Sequence, residues 1–308
     1  CKQNQSKLIR YDLSQVDIEL SSNRLIHYHS SVVYNDEGQS IFVGYNRFDH
    51  SFDFFDLSNQ KVLPSLFLNR EGENSVAYPV SSFSANQDYI VVNKSPGILY
   101  VLSHSGVLER ILKRDFFKNI QGVNLSEVKY QGLSFSNYEF MYLNADDLLS
   151  VVLFPDFSRS KAEYYDEFGL SIVDVEKGSF ESNFSLDYPK RILENKLGDL
   201  DEPHVISHDD VSTVSFSGSS EVIVIRSNSS PEYIELEAPE IFNPSSFNYS
   251  ERDYSGRWQY LEKTARFFPL IYDQFRERYV RLAREKIYED QPEQYYLLTY
   301  DQSFNLIN

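Results

Sequence analysis

A unit of strand, tight turn, strand, gap and strand recurs along this chain about every 50 residues, which is within the range of propeller blades. The first copy reads Ser31-Val32-Val33-Tyr34, turns at Asn35-Asp36-Glu37-Gly38, and continues through Ile41-Phe42-Val43 to Phe52-Asp53-Phe54-Phe55-Asp56-Leu57. The second enters at Ser82-Phe83-Ser84, turns at Ala85-Asn86-Gln87-Asp88, and runs through Tyr89-Ile90-Val91-Val92 to Ile98-Leu99-Tyr100-Val101-Leu102. β-Branched and aromatic runs bounded by Asn, Asp, Gly and Ser read as antiparallel strands, because those turn residues accept the positive φ that short hairpins need. One such sheet cannot bury both of its faces alone. Packing several around a common axis buries both and leaves only short edges. A β-sandwich with similar hairpins is the competing architecture, but a common sandwich domain is nearer ~100 residues.

The later copies are less regular. A third opens at Leu133-Ser134-Phe135-Ser136-Asn137, passes Phe140-Met141-Tyr142, carries an insertion around Pro155 to Phe168, and closes on Leu170-Ser171-Ile172-Val173-Asp174-Val175. The fourth is Val214 to Ser220, Val222 to Ile225 and Tyr233 to Leu236; the fifth is Leu270 to Asp273, Tyr279 to Leu282 and Tyr296 to Tyr300. Two stretches depart from the pattern. Lys190-Arg191-Ile192-Leu193-Glu194 reads as a helical turn on a long connection. In Gln274 to Glu289, Phe275, Tyr279 and Leu282 fall at helical spacing, yet the Tyr and Val content and the place in the repeat favour a strand. The reading is therefore an all-β chain: a tether over 1–7 and a single β-propeller domain over 8–308.

With 41% hydrophobic residues and 23 Tyr and 23 Phe, the chain has what a sizeable core needs, and disorder is a poor reading of it. Its net charge of -17 argues against nucleic acid as a partner, since phosphates are bound by clustered Lys and Arg. The single cysteine is Cys1, so no internal disulfide is possible. Cys1 followed by the polar stretch Lys2 to Lys7 looks like a bacterial lipoprotein after removal of its signal peptide, with Cys1 the acylated residue. No stretch approaches the ~18 apolar residues of a membrane span, so the expected membrane contact is through that lipid only.

Taken together, Cys1, the Glu71-Gly72-Glu73-Asn74 step, the Ser82-Phe83-Ser84 entry, and Pro269-Leu270-Ile271-Tyr272-Asp273 leading to Arg278-Tyr279-Val280-Arg281 resemble a DUF4221-like family of Bacteroidetes lipoproteins of unknown function. The resemblance spans most of the length and implies an exported, six-bladed β-propeller, and it brings no established catalytic residues. Only five units are found, and the last residues follow directly on a strand and a turn, so the sixth-blade plan is expected to be missing or incomplete at the end. Lys2-Gln3-Asn4-Gln5-Ser6 lacks the acidic run that resembles a surface-export signal in such lipoproteins, which favours an outer-membrane anchor facing the periplasm.

Several residues are candidates for chemistry. His27 and His29 would share a strand face, and His204 and His208 precede Asp209-Asp210; either set has metal-donor types. The plainer readings are polar surface for the first and the turn into the fourth unit for the second. Asp146-Asp147, Asp166-Glu167 and Asp199-Leu200-Asp201-Glu202 read as solvated loops, since none has calcium-loop spacing. No nucleophile elbow, phosphate-binding glycine loop or zinc-helix motif is present, so no catalytic residue, metal or cofactor is assigned.

The best ligand-contact candidates lie in Tyr249 to Arg284, a basic and aromatic stretch in an acidic chain. Arg257, Trp258, Arg276 and Arg278 are expected to form one contact surface, with Arg forks matching carboxylates and Trp giving a flat apolar face. The alternative is charge balance with the acidic remainder. The expected function is a noncatalytic ligand- or protein-binding propeller or scaffold at the cell envelope. Its partner would be a small molecule, a glycan, a peptide or an envelope protein. The competing class is a propeller hydrolase or lyase with a metal at the central channel.

Overall fold

Tight turns fold the apolar runs back on themselves as antiparallel sheets. The computed structural model describes residues 17–19, 28, 30–72, 75–76, 78–80, 82–95, 98–113, 141–153, 162–166, 168–195, 197–226, 229–239, 242, 244, 254–288 and 292–307. It divides into two compact units. The first holds the described residues within Ser14–Asp156 and Phe168–Ser185, the second those within Phe157–Glu167 and Leu186–Asn308.

The first unit contains three sheets. Sheet one is β1 (Ser31–Asp36), β2 (Gln39–Asn46), β3 (Ser51–Asp56), β4 (Lys61–Val62) and β5 (Leu66–Phe67), with β4 and β5 both paired to β3. Asp36 pairs with Gln39, which leaves Glu37 and Gly38 as a two-residue turn at φ 47° and 85°. Both central residues at positive φ make a primed hairpin turn, whose twist matches the strands it joins. Sheet two is β6 (Phe83–Ala85), β7 (Tyr89–Ser95), β8 (Ile98–Ser103) and β9 (Leu108–Lys113). Sheet three is β10 (Met141–Leu143), β11 (Leu148–Leu153), β12 (Phe168–Asp174) and β13 (Ser179–Leu186). The first strands β1 and β6 are neighbours, and so are β6 and β10.

Sheet two shows why its apolar runs are continuous rather than alternating. Ile90, Val92, Tyr100 and Leu102 pack with Val43, Phe52 and Phe54 of sheet one. Val91, Leu99, Val101 and Leu112 pack with Leu143, Leu149, Val151 and Val173 of sheet three. Successive side chains leave opposite faces of a strand, so a strand covered on both sides must be apolar at every position. Gly44 on β2 has a different task. The Tyr28 ring lies where its Cβ would be, at 2.4 Å, and the Tyr28 hydroxyl donates to Asp53 at 2.7 Å.

The second unit holds two sheets. Sheet four is β14 (Pro203–His208), β15 (Val211–Phe216), β16 (Ser219–Arg226) and β17 (Glu232–Glu235); sheet five is β18 (Arg266–Asp273), β19 (Arg278–Arg284) and β20 (Tyr295–Tyr300). Helix α1 (Lys190–Asn195) precedes sheet four, and helix α2 (Tyr254–Lys263) precedes sheet five. β14 and β15 both border β18.

The chain is thus an all-β β-propeller built from blade sheets in strict chain order. Among the described residues there are five blades, so the six-blade plan implied by the resemblance is not reached. Sheet five has three strands and the beginning of a fourth, where Leu306 bridges Tyr300 and the Ile307 amide donates to the Thr299 carbonyl at 2.7 Å. The sequence suggested a six-blade plan with its last blade missing or incomplete, and five blades among the described residues agree with that.

Other expectations meet the structure unevenly. Residues 190–194 are helical, and 278–284 form a strand, as read. Residues 203–208, taken as part of a turn, are β14, and the turn itself is Asp209-Asp210. β13 and the short β17 follow strands that were read as closing their units, or end them; β13 was not anticipated because its polar, alternating sequence Ser179–Leu186 has a half-exposed face. The proposed opening of the third unit at 133–137 lies outside the described residues.

Candidate functional site

Up-and-down strand order sorts the loops. In every sheet the turn between the second and third strands and the link to the next sheet share one end, and the remaining turns share the other. Arg257 and Trp258 sit on α2, on the link that enters sheet five. Arg276 and Arg278 sit at the β18–β19 turn, at the other end of that sheet. The eight residues of β18 separate the two pairs by about 24 Å, at 3.2–3.4 Å per residue. The sequence-predicted quartet therefore does not form a single surface, because a hairpin carries its turn to the far end of the blade.

At that turn, Asp273 takes Arg276 Nη1 at 2.9 Å and lies 3.6 Å from Arg278 Nε. Its carboxylate also accepts the Phe275 and Arg276 amides at 3.1 and 3.2 Å. These two arginines brace a turn whose Glu277 is at φ 50°. At the opposite end, α2 is held by Arg284, whose Nη2 donates to the carbonyls of Leu261 at 2.6 Å and Thr264 at 3.1 Å. The Ile287 amide adds a bond to the Lys263 carbonyl at 2.9 Å. Tyr260 packs with Leu197 and Leu200 on the inner side of the helix. Trp258 is left 49% exposed, with Arg257 beside it half-buried.

The strongest electrostatic feature of the second unit was not legible as a site. Arg281 is 1% exposed and stands 4.4 Å from the Phe267 ring centroid. It donates to the carbonyls of Phe268 at 3.0 Å, Ser219 at 3.1 Å and Phe216 at 2.5 Å. Burial lowers its pKa to about 10, still well above neutrality, so it stays charged. His204 is buried in the same core, with Ser217 Oγ 3.3 Å from its Nε2. Desolvation first, and the Arg281 charge second, bring its pKa down to about 3, so the ring is neutral. Arg281 ties sheet five to sheet four, and both groups lie too deep to meet a ligand.

Other candidates resolve into structure. His204 and His208 are four residues apart on one strand, roughly 13 Å by strand rise, which is too far to share a metal. His208 instead stacks on Tyr272 at 3.6 Å and lies 3.1 Å from Asp209. Asp201, read as a solvated loop residue, is fully buried and accepts the Tyr165 hydroxyl at 2.9 Å. Asp147 sits in the β10–β11 turn and accepts from Asn86 at 2.7 Å, while burial raises its pKa. Among the described residues no group of three or more His, Cys, Asp and Glu is placed to hold a metal ion. Cys1, His27 and His29 lie outside the described residues.

An arrangement missed in the sequence lies in the first unit. The β2–β3 turn presents Arg47 and Phe48, and the link from β5 to β6 presents Arg70 and Tyr78. Arg70 donates through Nη2 to the Phe48 carbonyl at 3.1 Å and lies 4.3 Å over the Tyr78 ring. Arg47 lies 5.5 Å from the Phe48 ring centroid. The two pairs are separated by more than twenty residues in sequence, so composition alone gave no signal.

The family model described as "Domain of unknown function (DUF4221)" matches residues 6–308. No curated protein matches. Among solved structures, the chain is similar to a DUF4221 family member from Bacteroides vulgatus at 15% identity and TM-score 0.65, covering 94% of this chain and 83% of that one. It is also similar to a putative exported protein from Bacteroides fragilis at 7% identity and TM-score 0.51, covering 96% of this chain and 74% of that one. A Dos1 propeller matches at 9% identity and TM-score 0.42, covering 90% of this chain and 58% of that one.

Proposed function

Because the chain belongs to the DUF4221 family, whose function is unknown, we propose its role from its own surface: a noncatalytic binding propeller at the cell envelope that engages its ligand through Arg257 and Trp258. The observation behind this is the half-exposed indole of Trp258 on a helix fixed from below by Arg284. Trp and Arg are among the side chains enriched at binding hot spots, and a rigid support spares the cost of ordering them. A guanidinium fork and a flat indole face offer directed donors and apolar contact, which suits the pair to recognition. Arg276 and Arg278, at the far turn, belong to a separate surface neutralised in part by Asp273. Acylation of Cys1 would supply the membrane attachment.

Trp258 is the only tryptophan, so its fluorescence reports directly on this surface. Titration with carboxylate-bearing oligosaccharides and with peptides ending in a free carboxylate should give a saturable change in emission for one of them. Arg257→Ala should abolish that change while leaving the unfolding midpoint within experimental error. An emission unaffected by every such ligand, or a change that survives Arg257→Ala, would refute the assignment.

A further inference from the structure

We propose that Arg47, Phe48, Arg70 and Tyr78 of the first unit form a second binding site, and that it takes an acidic saccharide of the uronic acid type. The site is independent of the Arg257–Trp258 surface and stands or falls without it.

The first point is charge. In a chain with 46 acidic and 29 basic residues, an exposed arginine is readily met by a carboxylate. Arg226 meets Glu232 at 2.9 Å, and Arg276 meets Asp273 at 2.9 Å. Arg47 and Arg70 are exposed, and no ion pair involves either among the described residues, although Asp49 and Glu71 are close in sequence.

The second point is that Arg70 is held in place. Beneath it, the Tyr78 ring stands edge-on to the buried His50 ring at 5.4 Å. His50 is fixed by the Tyr45 hydroxyl at 2.8 Å from Nδ1 and the Val76 carbonyl at 3.1 Å from Nε2. The turn is locked by Asn46, whose Oδ1 accepts the amides of Phe48 at 3.1 Å and Asp49 at 3.4 Å. The Leu68 amide joins the two segments by donating to the His50 carbonyl at 2.9 Å. One bond to the Phe48 carbonyl uses a single donor of the Arg70 fork, which leaves further N–H groups for an anion.

The ligand class follows from what the surface offers. Phe48 is 69% and Tyr78 51% exposed, so apolar ring surface lies beside both guanidiniums. A peptide that adds to a strand edge is held chiefly by backbone hydrogen bonds. Here the Phe48 and Asp49 amides and the Phe48 and His50 carbonyls are already committed within the loops, which shifts recognition to guanidinium forks and ring surface. A uronic acid carries both complements in one residue: a carboxylate for the fork and a face of C–H groups for the ring.

The test is calorimetric titration of the full chain with trigalacturonate, its methyl ester, and a hexaglutamate peptide. Trigalacturonate should bind with a one-to-one stoichiometry, and the ester and the peptide about tenfold more weakly or not at all. Arg70→Ala and Arg47→Ala should each weaken trigalacturonate about tenfold, with the urea midpoint unchanged. Arg70→Lys, which keeps the charge and loses the fork, should behave like Arg70→Ala. Trp258→Ala should leave this binding intact, which separates the site from the other surface. Equal binding of the ester, equal or tighter binding of the peptide, full binding by both arginine variants, or no binding of trigalacturonate would each overturn the proposal.

Discussion

Arg281 Nη2 donates to the Phe216 carbonyl at 2.5 Å, across the boundary between sheets five and four. With its bonds to Ser219 and Phe268, the guanidinium reaches three backbone carbonyls on two sheets. A buried arginine used in this way is a fastener between blades. It costs desolvation, and its removal leaves several buried acceptors unmet.

Arg281→Leu should therefore destabilise the chain by about 3–5 kcal/mol, the sum of several buried carbonyls that lose their donor at about 1–3 kcal/mol each. Urea unfolding at pH 7 measures this. Arg281→Lys should recover only part, since an ammonium cannot span three carbonyls set for a planar fork. A leucine variant as stable as the parent would remove the fastener role.

His204 sets an acid limit. Its folded pKa is about 3, below the ordinary 6.5, so the unfolded chain binds the proton more readily. Its contribution is fully present above pH 6.5 and is lost as pH falls from there toward 3, by up to ~1.4 kcal/mol per unit. Asp56, Asp174 and Asp301 also have lowered pKa values, but they begin to matter only near and below the ordinary carboxylate value of 3.8. His50, whose pKa burial also lowers, acts in the same window, so unfolding midpoints at pH 7 and pH 5 should differ in the parent and differ less in His204→Gln. An equal pH dependence in the two proteins would contradict the buried neutral state.

Gly44→Ala should cost about 1–3 kcal/mol, because the new methyl meets the Tyr28 ring and the ring has to move from Asp53. Tyr28→Ala, made together with Gly44→Ala, should add little beyond Tyr28→Ala alone, since the clash is then gone. A double-mutant cycle on the two positions reads the coupling. Additive effects would show that the ring does not depend on the glycine.

Cys1→Ser should move the protein from the membrane fraction to the soluble fraction in the organism that processes it. Acyl chains at Cys1 would anchor the chain by about 0.8 kcal/mol per buried methylene. Fractionation with mass spectrometry of the N-terminal peptide checks it, and a serine variant that stays with membranes would defeat the lipid-anchor proposal.

The sequence by itself determined the blade pattern. Runs such as Ile98–Leu102 are apolar at every position, and Asn35-Asp36-Glu37-Gly38 has residues that tolerate positive φ, so both strand and turn follow from local chemistry. β14 was less legible, because Pro203-His204-Val205-Ile206-Ser207-His208 mixes polar side chains with apolar ones, and His204 is acceptable in the core only once burial makes it neutral. Tertiary structure alone decided which charged residues are available to a ligand. Arg276, Arg278 and Arg281 lie within six residues on one hairpin, yet Asp273 braces the first two and backbone carbonyls enclose the third. Arg47 and Arg70, far apart in the chain, stand on adjoining loops with their rings beside them. Apolar periodicity is a local property that a strand imposes on its own residues. The environment of a guanidinium is set by whichever distant segments fold against it.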